Sequence, residues 1–504
     1  MFWHTLKLPF SYILRQAHST RMQLNTFLLA YIISSKNHLK EFLIKNRKTG
    51  ILNIMLQLEE KFKNLIRALA FWSFGTHVHK RHCKQHSRGG THGITVLSVF
   101  KQQLYCNNFQ FDSSFRKNNR INRGRIRMAN NHDRVVIRGL RGVAAAETKI
   151  SFVDPLGALY YLGYNIDALV ERVCYEEVVY LLLYGKLPSK NQLDEFKSQL
   201  IAEMTLPEAV INSIKSFPLN SHPMEVLRTE ISHLSMYDPD PDSTSEKVNI
   251  RRAIRLVAKV PTIVAALHRL HTKQQLVAPK EEAGLPENFL YLFRGQPADT
   301  EEKEAIDRFM TLHADHGFNA STFAARVASS TNSDMYSAVT GAVGTLKGPL
   351  HGGASEKVMY MLDDINTEEE VEDYIQGMLD DQKKIMGFGH RVYRTEDPRT
   401  KHLKEIARNL CNRTETMNLY NLCIRIERVV HDKKKIFPNV DFYAAVTLNA
   451  LGVPFQFFTP FFASSRISGW TAHVIEQYKD AVLLRPSSSY VGKYGRLFIP
   501  IEKR

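Results

Sequence analysis

Several side chains that could handle an anion follow one another closely in one stretch of the chain. This stretch runs from Met386 to Arg399 and carries His390, followed by Arg391 and Arg394. Two glycines just before the histidine allow a tight turn and a close approach of the backbone to a ligand. An imidazole beside several guanidiniums is suited to holding a small polyanion and polarising one of its oxygens. Taken alone, the stretch fits an ordinary loop with a histidine and surface arginines better than it fits an anion site.

Three further segments collect unusual polar residues. They are Leu312-His-Ala-Asp-His-Gly-Phe-Asn-Ala-Ser321 with His313 and His316, Gly348-Pro-Leu-His-Gly-Gly353 with His351, and Asn439-Val-Asp-Phe-Tyr443 with Asp441. Each has an ordinary structural explanation when taken singly: a hydrogen-bonded histidine pair, a loop histidine and a helix cap. Together with His390 they supply a carboxylate base, a neutral histidine donor and an anion clamp. These are the groups required for removing a proton beside a carbonyl group.

Helices must position most of these segments. Short β-rich runs at residues 149–154 and 158–163 flank Pro155-Leu-Gly157 and predict a hairpin, after which Asn165 caps a first helix. Strand patterns are nearly absent from there on, so we expect an all-α fold with a short N-terminal β-hairpin. Helical apolar spacing recurs at 175–183, 192–204, 248–270, 300–312, 336–345, 355–362, 368–378, 400–426 and 442–451.

The positive charge of the chain is confined to its first quarter. The net charge is +16 over 504 residues, yet residues 1–127 hold 22 lysines and arginines against 4 acidic residues, and the remainder holds 45 against 47. The basic composition therefore says nothing about the main body of the chain. We interpret residues 1–127 as a basic leader outside the enzyme, disordered or not part of it. No apolar run in the leader approaches the ~18 residues that a membrane span needs.

The composition of the leader allows two other interpretations. Its arginines among apolar and hydroxyl residues are compatible with a mitochondrial presequence, although 127 residues would be unusually long for one. The group from His77 to His86, with Cys83, fits no zinc-ligand spacing, so we expect no metal site. The five cysteines show no paired spacing, which is typical of a reducing compartment.

The motifs in the main body resemble the three signature segments of the citrate synthase family. Gly348-Pro-Leu-His-Gly-Gly353, Gly387-Phe-Gly-His-Arg-Val-Tyr393 and Pro438-Asn-Val-Asp-Phe-Tyr443 occur in the order that the family shows. The resemblance runs from about residue 138 to 492 and includes Gly142-Val-Ala-Ala-Ala-Glu-Thr148, which is typical of the bacterial-type members. It covers about three quarters of the chain and none of the leader.

This resemblance implies a role for each residue that matches a family motif. His351 would bind the thioester oxygen of an acyl-CoA, Asp441 would remove the α-proton, and His390 would polarise the ketone of oxaloacetate. The remaining implied residues are His316, Arg399, Arg466 and Arg485 for binding oxaloacetate, Arg394 near the CoA phosphates, and Ser321 near the enol.

The resemblance further implies the reaction and the assembly. The expected enzyme is an acyltransferase that condenses acetyl-CoA, oxaloacetate and water to citrate and CoA, with no cofactor and no metal. Its large domain would comprise residues 128–353 and 447–504, and a small domain at 354–446 would close over oxaloacetate. Arg485 would reach the active site of a partner subunit, so the expected enzyme is a homodimer. We expect it to bind neither nucleic acid nor a membrane.

Three alternatives stay open at this stage. A 2-methylcitrate synthase would use propionyl-CoA through the same residues, and one methylene in a pocket is worth only about 1–3 kcal/mol. In a different class of function, the basic leader would bind nucleic acid or a membrane surface while the helical body serves as a scaffold. The enzyme is expected in the cytoplasm, or in the mitochondrial matrix if the leader is a presequence.

Overall fold

The structure is a computed structural model that describes residues 136–504 apart from residues 141 and 242. The basic leader, residues 1–127, and the histidine group between His77 and His86 lie outside the described residues, so their interpretation stays a prediction. All described residues belong to one compact unit. The proposed division into residues 128–353, 354–446 and 447–504 is not tested by this result and also stays a prediction.

A small antiparallel sheet opens the folded part of the chain. Its strands are β1 (Ser151–Asp154), β2 (Ala158–Tyr161) and β3 (Tyr164–Asn165), in that spatial order. The predicted hairpin is confirmed, with Ser151 opposite Tyr161, and β3 is an addition to it. The Asn165 side chain accepts a hydrogen bond from the backbone N–H of Asp167 at 2.8 Å, so the predicted helix cap is also confirmed.

Helices make up most of the remainder, as the all-α expectation requires. Sixteen α-helices lie within the described residues. They are α1 (Ile166–Arg172), α2 (Tyr175–Tyr184), α3 (Lys190–Glu203), α4 (Glu208–Ser216), α5 (Pro223–Leu234), α6 (Glu246–His271), α7 (Leu285–Arg294), α8 (Thr300–His313), α9 (Ala320–Ser329), α10 (Met335–Leu346), α11 (Ala354–Asp363), α12 (Val371–Asp380), α13 (Pro398–Arg413), α14 (Met417–Lys434), α15 (Val440–Ala450) and α16 (Phe458–Asp480).

One of the predicted helices is in fact two. The apolar spacing predicted a single helix over residues 400–426, but the structure has α13 and α14 with a tight turn between them. Glu415 in this turn adopts a φ of 57°, and the Thr414 hydroxyl donates back to the carbonyl oxygen of Leu410 at 2.9 Å. No glycine or proline marks the break, and therefore the sequence pattern runs through it.

Helix α16 lies at the centre of the fold and packs against α6, α9, α10, α8 and α2. It is buried on every side for most of its length, as expected for a helix surrounded by others. Close packing is possible because small residues alternate with large ones along it. At Gly469 an added Cβ would lie 2.5 Å from the carbonyl oxygen of Ala314. The helix therefore touches the turn between α8 and α9, where His316 lies.

None of the helices in the described part of the chain is both long enough and apolar enough to cross a bilayer.

Candidate active site

The turn between α8 and α9 carries His316 and is fixed by hydrogen bonds to two other elements. The Tyr161 hydroxyl on β2 donates to the carbonyl oxygen of Asp315 at 2.9 Å. From α16, Nε of Arg466 donates to the carbonyl oxygen of His313 at 2.7 Å. Gly317 takes the left-handed conformation that the turn needs, with a φ of 57°. The sheet and the central helix together therefore hold His316 in place.

A buried carboxylate stiffens the same turn from within. Asp315 accepts a hydrogen bond from the Ser151 hydroxyl and one from the backbone N–H of Gly317 at 2.9 Å. Its Oδ2 lies 3.3 Å from Nε2 of His473, and both side chains are fully buried. Burial opposes ionisation of Asp315, but the charge and hydrogen bond of His473 outweigh it and lower the pKa of Asp315.

The loop that carries His390 lies beside the segment that precedes α15. The backbone N–H of Gly389 donates to the carbonyl oxygen of Phe437 at 2.9 Å, and the N–H of Asn439 donates to that of Gly387 at 2.8 Å. Gly387 has a φ of 76°, and a Cβ there would lie 2.9 Å from the Phe442 ring. These contacts bring together two of the predicted segments, those of His390 and Asp441.

His390 is a neutral imidazole whose tautomer is fixed by the backbone. Its Nδ1 accepts hydrogen bonds from the N–H groups of Val392 at 3.0 Å and Tyr393 at 2.9 Å. Burial, together with the positive charge of Arg399, lowers the pKa of His390 to about 4. Because Nδ1 is the acceptor, the single ring proton is on Nε2, and that N–H is available to a ligand.

His316 lies next to His390 and is also neutral. The two ring centroids are 5.3 Å apart and the rings are nearly perpendicular. Burial and then the positive charge of Arg399 hold the pKa of His316 well below its usual value. The ordinary structural explanation of His313 and His316, a hydrogen-bonded pair, does not apply: Nδ1 of His313 instead lies 2.7 Å from the carbonyl oxygen of Phe309.

His351 lies in the loop between α10 and α11, against the start of α9. The backbone N–H of Ser321 points at its Nε2 over 3.3 Å, and the Ser321 hydroxyl is 2.9 Å from the same atom. A backbone N–H can only donate, so Nε2 is the acceptor and the ring proton is on Nδ1. Burial and the charge of Arg466 lower the pKa of His351 to about 4. Ser321, whose role the sequence left loose, thus orients this histidine.

Asp441 is the second residue of α15 and does not cap it. The cap is Asn439, whose side chain accepts from the backbone N–H of Asp441 at 3.0 Å. Burial raises the pKa of Asp441 to about 7. The positive charges of Arg399 and Arg466 oppose this rise, and the negative charge of Asp397 adds to it. A carboxylate with a pKa in this range can take up a proton and release it again at neutral pH.

Two buried arginines approach this group of residues. Arg399 is 2% exposed and is clamped by Asp397, which accepts from its Nε at 2.9 Å and its Nη2 at 2.6 Å. Arg466 is 1% exposed, and its Nη2 has no hydrogen-bond partner among the described residues. Burial, with the nearby charge of Arg399, lowers the pKa of Arg466 to about 10. A buried guanidinium with an unused donor has the properties of an anion-binding group.

The structure does not bring Arg485 and Arg394 into this group. Arg485 lies beyond α16 in an extended segment and is exposed, while the neighbouring Leu484 is tied to Ser330 through its backbone N–H at 3.1 Å. Arg394 is exposed as well, and its backbone N–H donates to the carbonyl oxygen of Pro155 at 2.9 Å. Neither guanidinium bonds a described residue, so their predicted roles stay predictions.

Sequence reasoning missed four residues that hold the site together: Tyr393, Asp397, Trp470 and His473. Asp397 precedes a proline at the start of α13 and caps that helix, a pattern that could have drawn attention to it. Tyr393 lies inside the signature segment that carries His390, which was a local signal for it. Nothing local marks Trp470 and His473; Trp470, for example, reaches the Ser321 hydroxyl (3.2 Å) from 149 positions away.

The site therefore combines three neutral histidines, two buried arginines and one aspartate with a raised pKa. The charge of Arg466 acts on both His351 and Asp441, which places these two groups within electrostatic reach of the same guanidinium. Such a set can bind an anion, withdraw a proton from carbon and stabilise the resulting oxyanion by hydrogen bonding. Within the described part of the chain, no group of three or more His, Cys, Asp or Glu side chains could hold a metal ion.

Comparisons with known proteins agree with this chemistry. Residues 139–487 match the family model of the citrate synthase C-terminal domain. The chain is 48% identical over 368 residues to citrate synthase 2 of Bacillus subtilis, covering 73% of this chain and 99% of that protein. It is 41% identical over 379 residues to 2-methylcitrate synthase 1 of Corynebacterium glutamicum, covering 74% and 99%. The solved ternary complex of Thermoplasma acidophilum citrate synthase with carboxymethyl coenzyme A and oxaloacetate is similar with a TM-score of 0.70 and 32% identity, over 73% of this chain and 100% of that one.

Proposed function

Since this chain belongs to the citrate synthase family, we propose that it condenses acetyl-CoA with oxaloacetate and water to give citrate and CoA. The observation that carries this proposal is Asp441, a carboxylate with a pKa raised to about 7 beside two buried guanidiniums. A base of this strength next to an anion-binding group suits proton removal from a thioester in the presence of a bound dicarboxylate. The similar solved complex contains oxaloacetate and carboxymethyl coenzyme A.

Oxaloacetate would bind where unused donors converge. The free Nη2 of Arg466 and the remaining face of Arg399 supply charge for its carboxylates, and arginine provides the paired donors that a carboxylate accepts. The Nε2–H of His390 would donate to the ketone oxygen and make the ketone carbon more electrophilic, and His316 would bind beside it. Because both histidines are neutral, they can donate without adding charge to the clamp.

Carbon–carbon bond formation would follow enolisation of the thioester. Asp441 takes the α-proton of acetyl-CoA while the Nδ1–H of His351 donates to the thioester oxygen, which becomes the enol oxygen. The enol carbon then attacks the ketone carbon of oxaloacetate, and the enol proton returns to Nδ1 of His351 as the thioester carbonyl re-forms. The ketone oxygen takes the Nε2 proton of His390, which solvent replaces, while Asp441 releases the α-proton to solvent. Water finally cleaves the thioester of the citryl-CoA, releasing citrate and CoA. No cofactor beyond the substrates enters this sequence of steps.

The acyl group is the part of the proposal with a specific competitor. Relatives at 41% identity include a 2-methylcitrate synthase, so propionyl-CoA is the alternative substrate. Release of CoA by the purified full chain, measured with oxaloacetate and each thioester in turn, decides between them. We expect a higher kcat/KM with acetyl-CoA. A higher value with propionyl-CoA would assign the alternative, and no CoA release with either would refute the proposed reaction.

We propose further that the active enzyme is a homodimer in which Arg485 serves the partner's site. In support, Arg485 is exposed and away from Arg399 and Arg466 in its own chain. The same extended segment also exposes apolar side chains that a second subunit would cover, among them Val491 (92% exposed), Leu497 (89%) and Phe498 (82%). Exposed apolar groups in this density mark an interaction surface.

A subunit-mixing experiment tests the shared site. Arg485→Ala and Asp441→Asn subunits, each inactive or nearly so, are co-expressed with different tags and the heterodimer is purified. If Arg485 acts in the partner's site, one active site collects both defects and the other is intact, so the heterodimer regains up to half of the wild-type activity. If Arg485 acts in its own subunit, each site has one defect and no activity returns. A monomeric protein with full activity would also refute the proposal.

Two finer assignments complete the proposed function. Arg394 would bind the CoA phosphates, so Arg394→Ala should raise the KM for acyl-CoA and leave the KM for oxaloacetate unchanged. An unchanged acyl-CoA KM would contradict the assignment.

We place the enzyme in the cytoplasm, with the mitochondrial matrix as the alternative if residues 1–127 act as a presequence. A fluorescent protein fused behind residues 1–127 and imaged in the host cell decides between the two compartments.

A further inference from the structure

Tyr393 contacts both histidines of the proposed oxaloacetate site. Its ring centroid is 4.5 Å from that of His390 and 5.5 Å from that of His316. Its hydroxyl oxygen is 3.1 Å from Nε2 of His316. The side chain is 5% exposed, so these contacts are shielded from water. Neither the ring nor the hydroxyl was needed for the reaction proposed above.

The backbone and the side chain of this one residue act on different histidines. The N–H of Tyr393 donates to Nδ1 of His390 at 2.9 Å and helps to place the ring proton of His390 on Nε2. The hydroxyl bonds His316, a residue 77 positions earlier in the sequence. The loop conformation that orients His390 therefore also sets the position of the hydroxyl relative to His316.

The direction of the bond to His316 follows from the groups around the hydroxyl. Burial raises the pKa of Tyr393 above its usual value, so the hydroxyl keeps its proton. Among the described residues, the hydroxyl makes no hydrogen bond other than the one with His316. The carboxylate of Asp397, whose charge also reaches Tyr393, is already occupied by Arg399. A buried O–H with one acceptor in reach donates to that acceptor.

We propose that Tyr393 is a positioning residue whose hydroxyl donates a hydrogen bond to Nε2 of His316. This bond holds His316 as the Nδ1–H tautomer, and the Nδ1–H can then donate to a carboxylate or carbonyl oxygen of oxaloacetate. The inference rests on the proposed function for the identity of the ligand. In the described structure Nδ1 of His316 makes no hydrogen bond with a protein residue, so its proton is free for a ligand. Without the tyrosine hydroxyl, the proton can sit on either nitrogen, and part of the population offers a ligand no donor at Nδ1.

Tyr393→Phe tests this role, because it keeps both ring contacts and the backbone N–H and removes only the hydroxyl. We expect the dissociation constant and KM for oxaloacetate to rise by roughly 2- to 12-fold, the range for one neutral hydrogen bond. The KM for acyl-CoA and the unfolding temperature should stay near the wild-type values. Tyr374→Phe is the matched control, since its hydroxyl donates to the exposed Asp364 at 3.1 Å, in a pairing that involves no residue of the proposed site.

A spectroscopic measurement separates this inference from the proposed function. The measurement uses NMR of ligand-free, full-length protein with ¹⁵N-labelled histidine, in which the His316 signals are assigned by comparison with His316→Gln. The wild-type His316 ring should show a protonated Nδ1 and an unprotonated Nε2. In Tyr393→Phe, the Nδ1–H and Nε2–H tautomers of His316 should both be present. A protonated Nε2 in the wild type overturns the inference. Unchanged oxaloacetate binding in Tyr393→Phe would also overturn it. So would a loss of acyl-CoA binding and thermal stability in this variant that is as large as its loss of oxaloacetate binding. Failure of the wild type to release CoA would instead refute the proposed reaction, and the ring spectrum would still report the tautomer.

Discussion

Replacing Asp441 with asparagine should abolish turnover and at the same time stabilise the folded protein. Asparagine keeps the size of the side chain and cannot accept the α-proton. Loss of a general base costs about 10²–10⁴-fold in rate. The helix cap is unaffected, since Asn439 provides it. Oxaloacetate should still bind, because its proposed contacts are with histidines and arginines.

The stability gain follows from the raised pKa of Asp441. In the unfolded chain an aspartate ionises near pH 3.8, whereas burial raises the folded pKa to about 7. Between these values the folded state holds a proton that the unfolded state has lost, so the free energy of unfolding falls as the pH rises through this window. Above pH 7 the loss reaches its full size, at most about 4 kcal/mol at 1.36 kcal/mol per pKa unit. A neutral asparagine avoids this loss.

Denaturant unfolding at pH 8 and pH 4 measures the stability difference, which should be present at the first pH and absent at the second. In the wild type, kcat/KM for acyl-CoA should fall about tenfold per pH unit below pH 6, since only the ionised form of Asp441 is a base. Asp480→Asn, on an exposed side chain at the end of α16, is the control and should change neither property. If Asp441→Asn is less stable than the wild type at pH 8 and retains more than a tenth of the wild-type activity, the assignment of Asp441 as the base is refuted.

Three further outcomes are expected. A protein that starts at Met128 should keep the wild-type kcat and KM, because the match to the family model covers residues 139–487 and none of the leader. Lost activity would show that the leader contributes to the enzyme. Gly469→Ala should lower the free energy of unfolding by about 1–3 kcal/mol through overpacking. Gly377→Ala, in open space on α12, should not lower it. Equal effects of the two substitutions would argue against close packing at Gly469. Ser321→Ala should lower kcat with little change in the oxaloacetate KM, because its hydroxyl contacts His351; an altered oxaloacetate KM would point to a different role.

The residues proposed to carry the chemistry could be selected from the sequence because short segments contain them. The segments around His351, His390 and Asp441 combine glycines, a proline and polar residues in ways that a packed core does not require. The surrounding helices were predictable where one face is apolar, as in α8 and α12. Hairpin and first helix cap were predictable from turn residues and from Asn165.

The parts that sequence could not supply depend on contacts between distant segments. Helix α16 has no apolar stripe, because it is buried on all sides and includes Arg466 and His473, so the periodicity that reveals amphipathic helices is missing. The partners of the catalytic groups lie far away in the chain, as with Tyr393 and His316. Arg399 was expected to face a substrate carboxylate, and its buried pairing with Asp397 could be seen only in the folded structure.

The backbone hydrogen bonds that join the segments before His390 and before Asp441 have a consequence for the order of events in a catalytic cycle. They make Asp441, the proposed base, and His390, proposed to polarise the ketone, parts of one mechanical unit. His351 belongs to a different loop, whose Gly352 carbonyl oxygen accepts a hydrogen bond from the Thr459 hydroxyl of α16 at 3.2 Å. A displacement that separates the two units would move Asp441 and His390 together and away from His351. A thioester bound in that state would meet a donor for its oxygen and no base for its carbon. Exchange of its α-hydrogens with solvent should therefore be slow until oxaloacetate aligns the two units, which would keep the enzyme from enolising acyl-CoA with no acceptor present.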